Sequence, residues 1–169
     1  MKEVTIKVYE YDELSKEAKE KVLSDLASIN VDYAWWEEIY ADADEVELDI
    51  TEFDIDRGTM VMNVKTSCES VAREIVKNRG TTCNTYKDAM KYLKALKELR
   101  KVPRRRKDDE EIDTTELDDN LIHDLISDYL TMLRKEFDYQ TSEKAVLETI
   151  SINNFYFYES GKLYGSIED

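Results

Sequence analysis

The sequence predicts an α+β protein: a mostly antiparallel sheet of about five strands, covered by several helices. Three observations lead there. Apolar–polar alternation marks strands at both ends and in the middle of the chain. Apolar stripes at helical spacing fill the intervals. The resulting order, β-α-α-β-β-α-α-α-α-β-β, is neither a regular βαβ repeat nor all-helical. The 169 residues are expected to form a single domain over 1–169, long enough to bury roughly 70% of the unfolded chain's surface. A hydrophobic content of 41% separates the chain from disordered acidic sequences.

Val4, Ile6 and Val8 alternate with Thr5, Lys7 and Tyr9, the pattern of an opening strand. Ser15 is placed as an N-cap for a helix carrying Ala18, Val22, Leu23, Leu26 and Ala27. A second helix is expected over 31–43, with Val31, Trp35 and Ile39 on one face. Val46, Leu48 and Ile50 then alternate with Glu45, Glu47 and Asp49 as a half-buried strand. Its parity slips, because Phe53 and Ile55 fall out of step, so a bulge at Thr51 or Glu52 is needed to keep one apolar face. Asp56-Arg57-Gly58 makes the turn, and Met60, Met62 and Val64 return as a hairpin.

Ser67 is expected to cap a short helix with Val71, Ala72, Ile75 and Val76 that stops at Gly80. Tyr86, Ala89, Met90, Leu93, Leu96 and Leu99 stripe a helix over 84–101. A charged linker near 102–114, around Pro103, lies inside this helical insertion, and its two flanking helices are expected to protrude as a hairpin. Leu117, Leu121, Leu125, Tyr129, Met132 and Phe137 mark a long amphipathic helix. A short helix after Ser142 and a hairpin from Phe155 to Tyr164 complete the chain.

Charge is segregated along this frame. Residues 22–56 carry twelve carboxylates and no lysine or arginine, and 108–133 carry ten more, again with no lysine or arginine. All 24 basic residues fall elsewhere, so the net charge of −15 is directional. Such a field repels nucleic acid and attracts a basic surface. Along a strand, carboxylates at i and i+2 stand about 6.5–7 Å apart, a spacing comparable to that of successive phosphates. Glu45, Glu47 and Asp49, then Glu52, Asp54 and Asp56 beyond the bulge, are read as a regular solvent-facing row, extended by Asp42 and Asp44. Exposed like charges at that spacing repel by about 0.6 kcal/mol per pair in water. Protecting a sheet edge takes only one or two charges, so the full row points to a binding surface. Trp36 and Tyr40 are placed beside it as apolar anchors.

Other chemistry finds little support. No catalytic signature or Gly-rich phosphate loop is present. Asp54-x-Asp56-x-Gly58 resembles the opening of a calcium loop but lacks its further ligands and closing glutamate. His123 is the sole histidine, which excludes zinc sites built on several imidazoles, and is read as structural. No catalytic residue, metal site or cofactor is therefore expected. Lys87–Lys107, with ten basic residues, is read as neutralising the chain's own acids, joining copies basic-to-acidic or gripping phosphates, the last opposed by the overall negative field. Cys68 and Cys83 form no metal-type pair, no charged-then-apolar leader opens the sequence, and no apolar run approaches the roughly 20 residues of a membrane span. The expectation is a cytoplasmic protein with free thiols.

Taken with the opening strand, the segments Tyr11-Asp12-Glu13-Leu14-Ser15, Ile29-Asn30-Val31-Asp32-Tyr33 with Trp35-Trp36, and Phe53-Asp54-Ile55-Asp56-Arg57-Gly58 carry a family likeness. The chain resembles small acidic proteins of bacteriophages and mobile elements, some of them anti-CRISPR inhibitors of the type II RNA-guided nuclease. The resemblance implies a non-enzymatic inhibitor in the host bacterial cytoplasm that binds that nuclease, or another nucleic-acid-binding defence protein. The nucleic-acid channel of such a nuclease is strongly basic. Direct nucleic-acid binding and membrane association are not expected. The competing expectation is an antitoxin-like or self-associating regulatory module, functioning as a homo-oligomer.

Overall fold

A computed structural model describes residues 2–101 and 112–166 of the chain. It is α+β, with six α-helices and two separate two-stranded antiparallel sheets among those residues. The expected five-stranded sheet is thus replaced by two hairpins, which belong to two different compact units.

The first unit combines residues 1–35 with 135–169. The opening segment does not form the expected strand. Residues 2–8 belong to no element, and Val4 and Ile6 are 81% and 52% exposed. Alternation alone is not enough without a partner ladder, and only Tyr9 finds one, bridging Phe157 through hydrogen bonds of 2.8 and 2.9 Å. A single 3-10 turn (Tyr11–Glu13) leads to α1 (Lys16–Asp25), capped as expected by Ser15, whose hydroxyl accepts from the Ala18 N–H at 3.2 Å.

The segment expected to continue as a helix from Val31 instead turns on itself. The amides of Val31 and Asp32 both bond the Ser28 carbonyl, and helix α2 starts only at Glu37. Asn and Asp at 30 and 32 favour such local turns over helix. Asn30 fixes the turn, donating to the Gln140 carbonyl at 3.1 Å and accepting from Thr149 at 2.6 Å. In the C-terminal part of the unit, Ser142 caps α6 (Glu143–Ile152), and β3 (Phe155–Phe157) pairs with β4 (Leu163–Ser166). Leu14, Ala18 and Val22 from the N-terminal portion pack with Val146, Ile150 and Phe157 from the C-terminal portion.

The second unit spans residues 36–134. It holds α2 (Glu37–Asp44), β1 (Leu48–Asp54), β2 (Thr59–Val64), α3 (Cys68–Asn78), α4 (Asn84–Leu99) and the first part of α5 (Thr115–Gln140). Ser67 caps α3 through the Ser70 amide. The buried faces supply Ile39 and Ala43, Leu48 and Ile50, Val71 and Ile75, Ala89 and Leu96, and Leu121, Leu125 and Leu133. Helix α4 is tied to its neighbours along its length rather than standing off from them. Tyr92 donates to Asp118 at 2.6 Å, Lys91 to Asp124 at 2.9 Å, and Arg100 grips Glu69 on α3 at 2.6 Å. The linker near 102–114 lies outside the described residues except for its end, where Thr114 bonds Asp118 at 2.7 Å.

Candidate acidic interface

The β1–β2 hairpin settles which carboxylates share a face. Its register pairs Leu48 with Val64, Ile50 with Met62 and Phe53 with Met60. These pairs form the inner face, where Leu48, Ile50 and Met62 are buried. The outer pairs are Asp49 with Asn63, Glu52 with Val61 and Asp54 with Thr59. Continuity of both faces depends on the bulge between Ile50 and Glu52, where the sequence called for it. A regular strand would have turned Glu52 and Asp54 inward. Gly58, at φ 66°, closes the turn.

Of the eight carboxylates read as one row, five have partners within the fold, four of them upstream of the strand. Asp42 accepts from Arg79 at 2.9 Å and from the Tyr129 hydroxyl at 2.9 Å. Asp44 pairs with Lys65, and Glu45 with Arg79 at 3.3 Å. Glu47 accepts from Thr66 and, at 2.8 Å, from Ser70. Those hydroxyls hold its carboxyl below the usual range.

The strand itself begins only at Leu48. Residues 45–47 form a turn, with Glu47 in the left-handed region at φ 64°, so Glu45 and Glu47 do not continue the ladder row. The sequence reading missed the neutralising partners because they come from outside the acidic tract. One signal was available: extending the ladder one step past Leu48–Val64 sets Glu47 beside Lys65, whose amide bonds the Glu47 carbonyl at 3.0 Å.

The four downstream carboxylates lie on the hairpin, Asp49, Glu52 and Asp54 on its outer face and Asp56 in its turn. Asp49 and Glu52 are exposed, and no described residue bonds or pairs with their carboxylates. Asp54 accepts from the Arg57 amide at 2.9 Å and lies 3.6 Å from its guanidinium, while Asp56 is exposed in the turn. No basic residue stands opposite them on β2, where Thr59, Val61 and Asn63 line the outer face. Trp36, the N-cap of α2, and Tyr40, one turn further on, are half-buried, and both meet Phe53 edge-on at 5.7 and 6.1 Å. Their rings thus pack on Phe53 of the inner face, while the Tyr40 hydroxyl lies within the field of the outer-face carboxylates. Burial, then the charges of Asp49 and Glu52, push the Tyr40 hydroxyl's pKa upward.

Elsewhere the chemistry is sparse. His123 is a surface residue rather than a structural one, with 85% of its side chain exposed. Cys68 is buried and Cys83 exposed, both free. Burial, with Asp118 beside it, raises the Cys68 thiol to about 11. Among the described residues no group of three or more His, Cys, Asp or Glu could hold a metal ion, and no helix is long and apolar enough to cross a membrane. A cleft of about 300 Å³ in the first unit, lined in part by Tyr11, Leu147, Ile150 and Phe155, contains none of the eight carboxylates of the expected row. No family model, curated protein or solved structure matches the chain.

Proposed function

We propose that this protein is a non-enzymatic acidic inhibitor that binds a basic nucleic-acid-binding surface, with a host RNA-guided defence nuclease as its target and the bacterial cytoplasm as its place of action. The observation carrying this reading is the outer face of the β1–β2 hairpin. Asp49, Glu52 and Asp54 are brought onto one side by a bulge, and no cation faces them across the ladder. Charges held on a paired scaffold lose little entropy on binding, and rows of them complement the lysines and arginines of a phosphate channel. The contact set is smaller than the sequence suggested. It consists of Asp49, Glu52, Asp54 and Asp56, while Asp42, Asp44, Glu45 and Glu47 support the scaffold.

The test is a cleavage assay with a type II RNA-guided nuclease, titrating the protein at low and moderate salt. Inhibition that weakens with salt, and falls at least about tenfold in Asp49→Lys/Glu52→Lys, supports this reading. A folded double variant that inhibits as well as the parent would end it.

A second reading is favoured by a groove of about 280 Å³ between α3 and α4, lined by Glu69, Arg73, Leu93, Leu96, Lys97 and Arg100. Arg73 and Arg100 are held there by Glu69, and Lys97 is the groove's cation for the acidic hairpin of another copy, making the protein a self-associating regulatory module. Sedimentation that reveals salt-sensitive oligomers at micromolar concentration, lost in Lys97→Glu, would favour that reading.

A further inference from the structure

Carboxylates also meet inside the second unit, where α4 faces α5. Asp88 comes from α4, and Asp124 and Asp128 come from α5, one turn apart. Lys91 answers only part of this charge: its ammonium bonds Asp124 Oδ2 at 2.9 Å. Lys87 is turned to the Asn84 side-chain oxygen at 3.4 Å, and the His123 imidazole lies 3.8 Å from Asp124 on the exposed side. Asp128 is left facing Asp88 and Asn84. Its Oδ2 is buried and has no hydrogen-bond partner among the described residues.

A buried carboxylate oxygen with no donor, beside a second carboxylate, is costly twice over. A metal does not resolve it, because these side chains form no group able to hold one. A proton does. Placed on Asp128 Oδ2, it turns an orphan acceptor into a donor and Asp88 into its acceptor, replacing repulsion with a carboxyl–carboxylate hydrogen bond.

We propose that Asp88 and Asp128 share one proton across the α4–α5 contact, so that mild acid fastens these helices together and rising pH loosens them. Burial, then the charge of Asp88, raises the Asp128 pKa, while Asn84 opposes the shift and Asp124 adds to it. A carboxyl raised in the folded state gives stability that is complete below the unfolded value of about 3.9 and is lost as pH climbs through the folded value. Because the two acids are coupled, the titration belongs to the pair.

Carboxyl-carbon NMR of the full chain, titrated from acid to neutral pH, tests this directly. The Asp128 resonance is assigned by its loss in Asp128→Asn. It is expected to titrate above a free aspartate, and to move back down in Asp88→Asn. In parallel, the urea-unfolding constant of the parent should rise with pH by about tenfold per unit of that shift. Asp128→Asn, whose amide donates at every pH, should lose that rise. An Asp128 that titrates at or below the free value, or is unmoved by Asp88→Asn, overturns the proposal.

Discussion

Arg79 and Asp42 meet at 2.9 Å, and the same guanidinium donates to the Asp42 carbonyl at 2.7 Å. Tyr129, fully buried on α5, takes the other carboxylate oxygen. One aspartate thus joins α2, the end of α3 and α5 in a single network, with only 16% of the Arg79 side chain exposed. Arg79→Met would leave Asp42 partly buried without its cation. We expect a loss of about 2–4 kcal/mol in urea unfolding. Tyr129→Phe should cost less, about 1–2 kcal/mol. A double-mutant cycle that shows no coupling between the two would refute the network.

Glu47 and Asp49 are two residues apart but are expected to behave oppositely. Glu47→Ala removes the acceptor for Thr66 and Ser70, and should lower the melting temperature with little effect on partner binding. Asp49→Ala should do the reverse. Thermal melts alongside the cleavage assay separate the two. Equal effects of both substitutions on inhibition would mean that the acidic row extends past the strand after all.

How much of this was legible beforehand depended on where the deciding partner lay. The bulge was readable because its evidence is local: Ile50 and Phe53 fall on opposite parities, and a single extra residue reconciles them. The caps at Ser15, Ser67 and Ser142 were readable for the same reason. The opening strand was misread because Val4, Ile6 and Val8 carry strand periodicity but no information about what they would pair with. The acidic row was half misread because Arg79, Tyr129 and Ser70 approach it from helices distant in sequence. A tract without lysine or arginine says nothing about the cations that the fold brings to it.

The acid limb of stability should be governed by Glu69. Hydrogen bonds from Arg100, then Arg73, hold its carboxyl down to about 2. A carboxyl lowered in the folded state gives stability that is present above its unfolded value and is lost as pH falls through the folded one. The window therefore runs from the ordinary glutamate range of about 4.3 down to about 2, opposite in sign to Asp128. The Glu69 side chain is 27% exposed, so screening trims the effect. Glu69→Gln should flatten the decline in stability below pH 4, measured by denaturant unfolding at a series of pH values. An unchanged acid limb in that variant would dismiss the assignment.

Gly161 permits the C-terminal hairpin to lie against α1. It has φ 78°, and a Cβ built there would come 2.6 Å from the Ala18 carbonyl oxygen, which is backbone and cannot swing away. Gly161→Ala should destabilise the first unit by about 2 kcal/mol or more. Hydrogen exchange should show faster opening at the Tyr9 and Phe157 amides. Unaltered protection there would mean that the turn tolerates a side chain.

Added salt should raise the melting temperature, because Asp49, Glu52 and Asp56 repel one another without internal cations to offset them. Asp49→Asn/Glu52→Asn should reduce that salt response. A melting temperature that falls between low and moderate salt would contradict the picture.

The first unit draws Val22 and Val146 into one core, with residues 36–134 lying between them in the chain. Synthesis runs in one direction, at roughly 5–20 residues per second. The apolar stripe of α1 therefore leaves the ribosome on the order of ten seconds before Val146, Ile150 and Phe157 exist to cover it. During that interval the second unit can complete its own core, while Leu14, Ala18 and Val22 remain clients for a chaperone. A message truncated before Ile150 would thus yield a chain with an intact acidic hairpin and a permanently uncovered N-terminal helix.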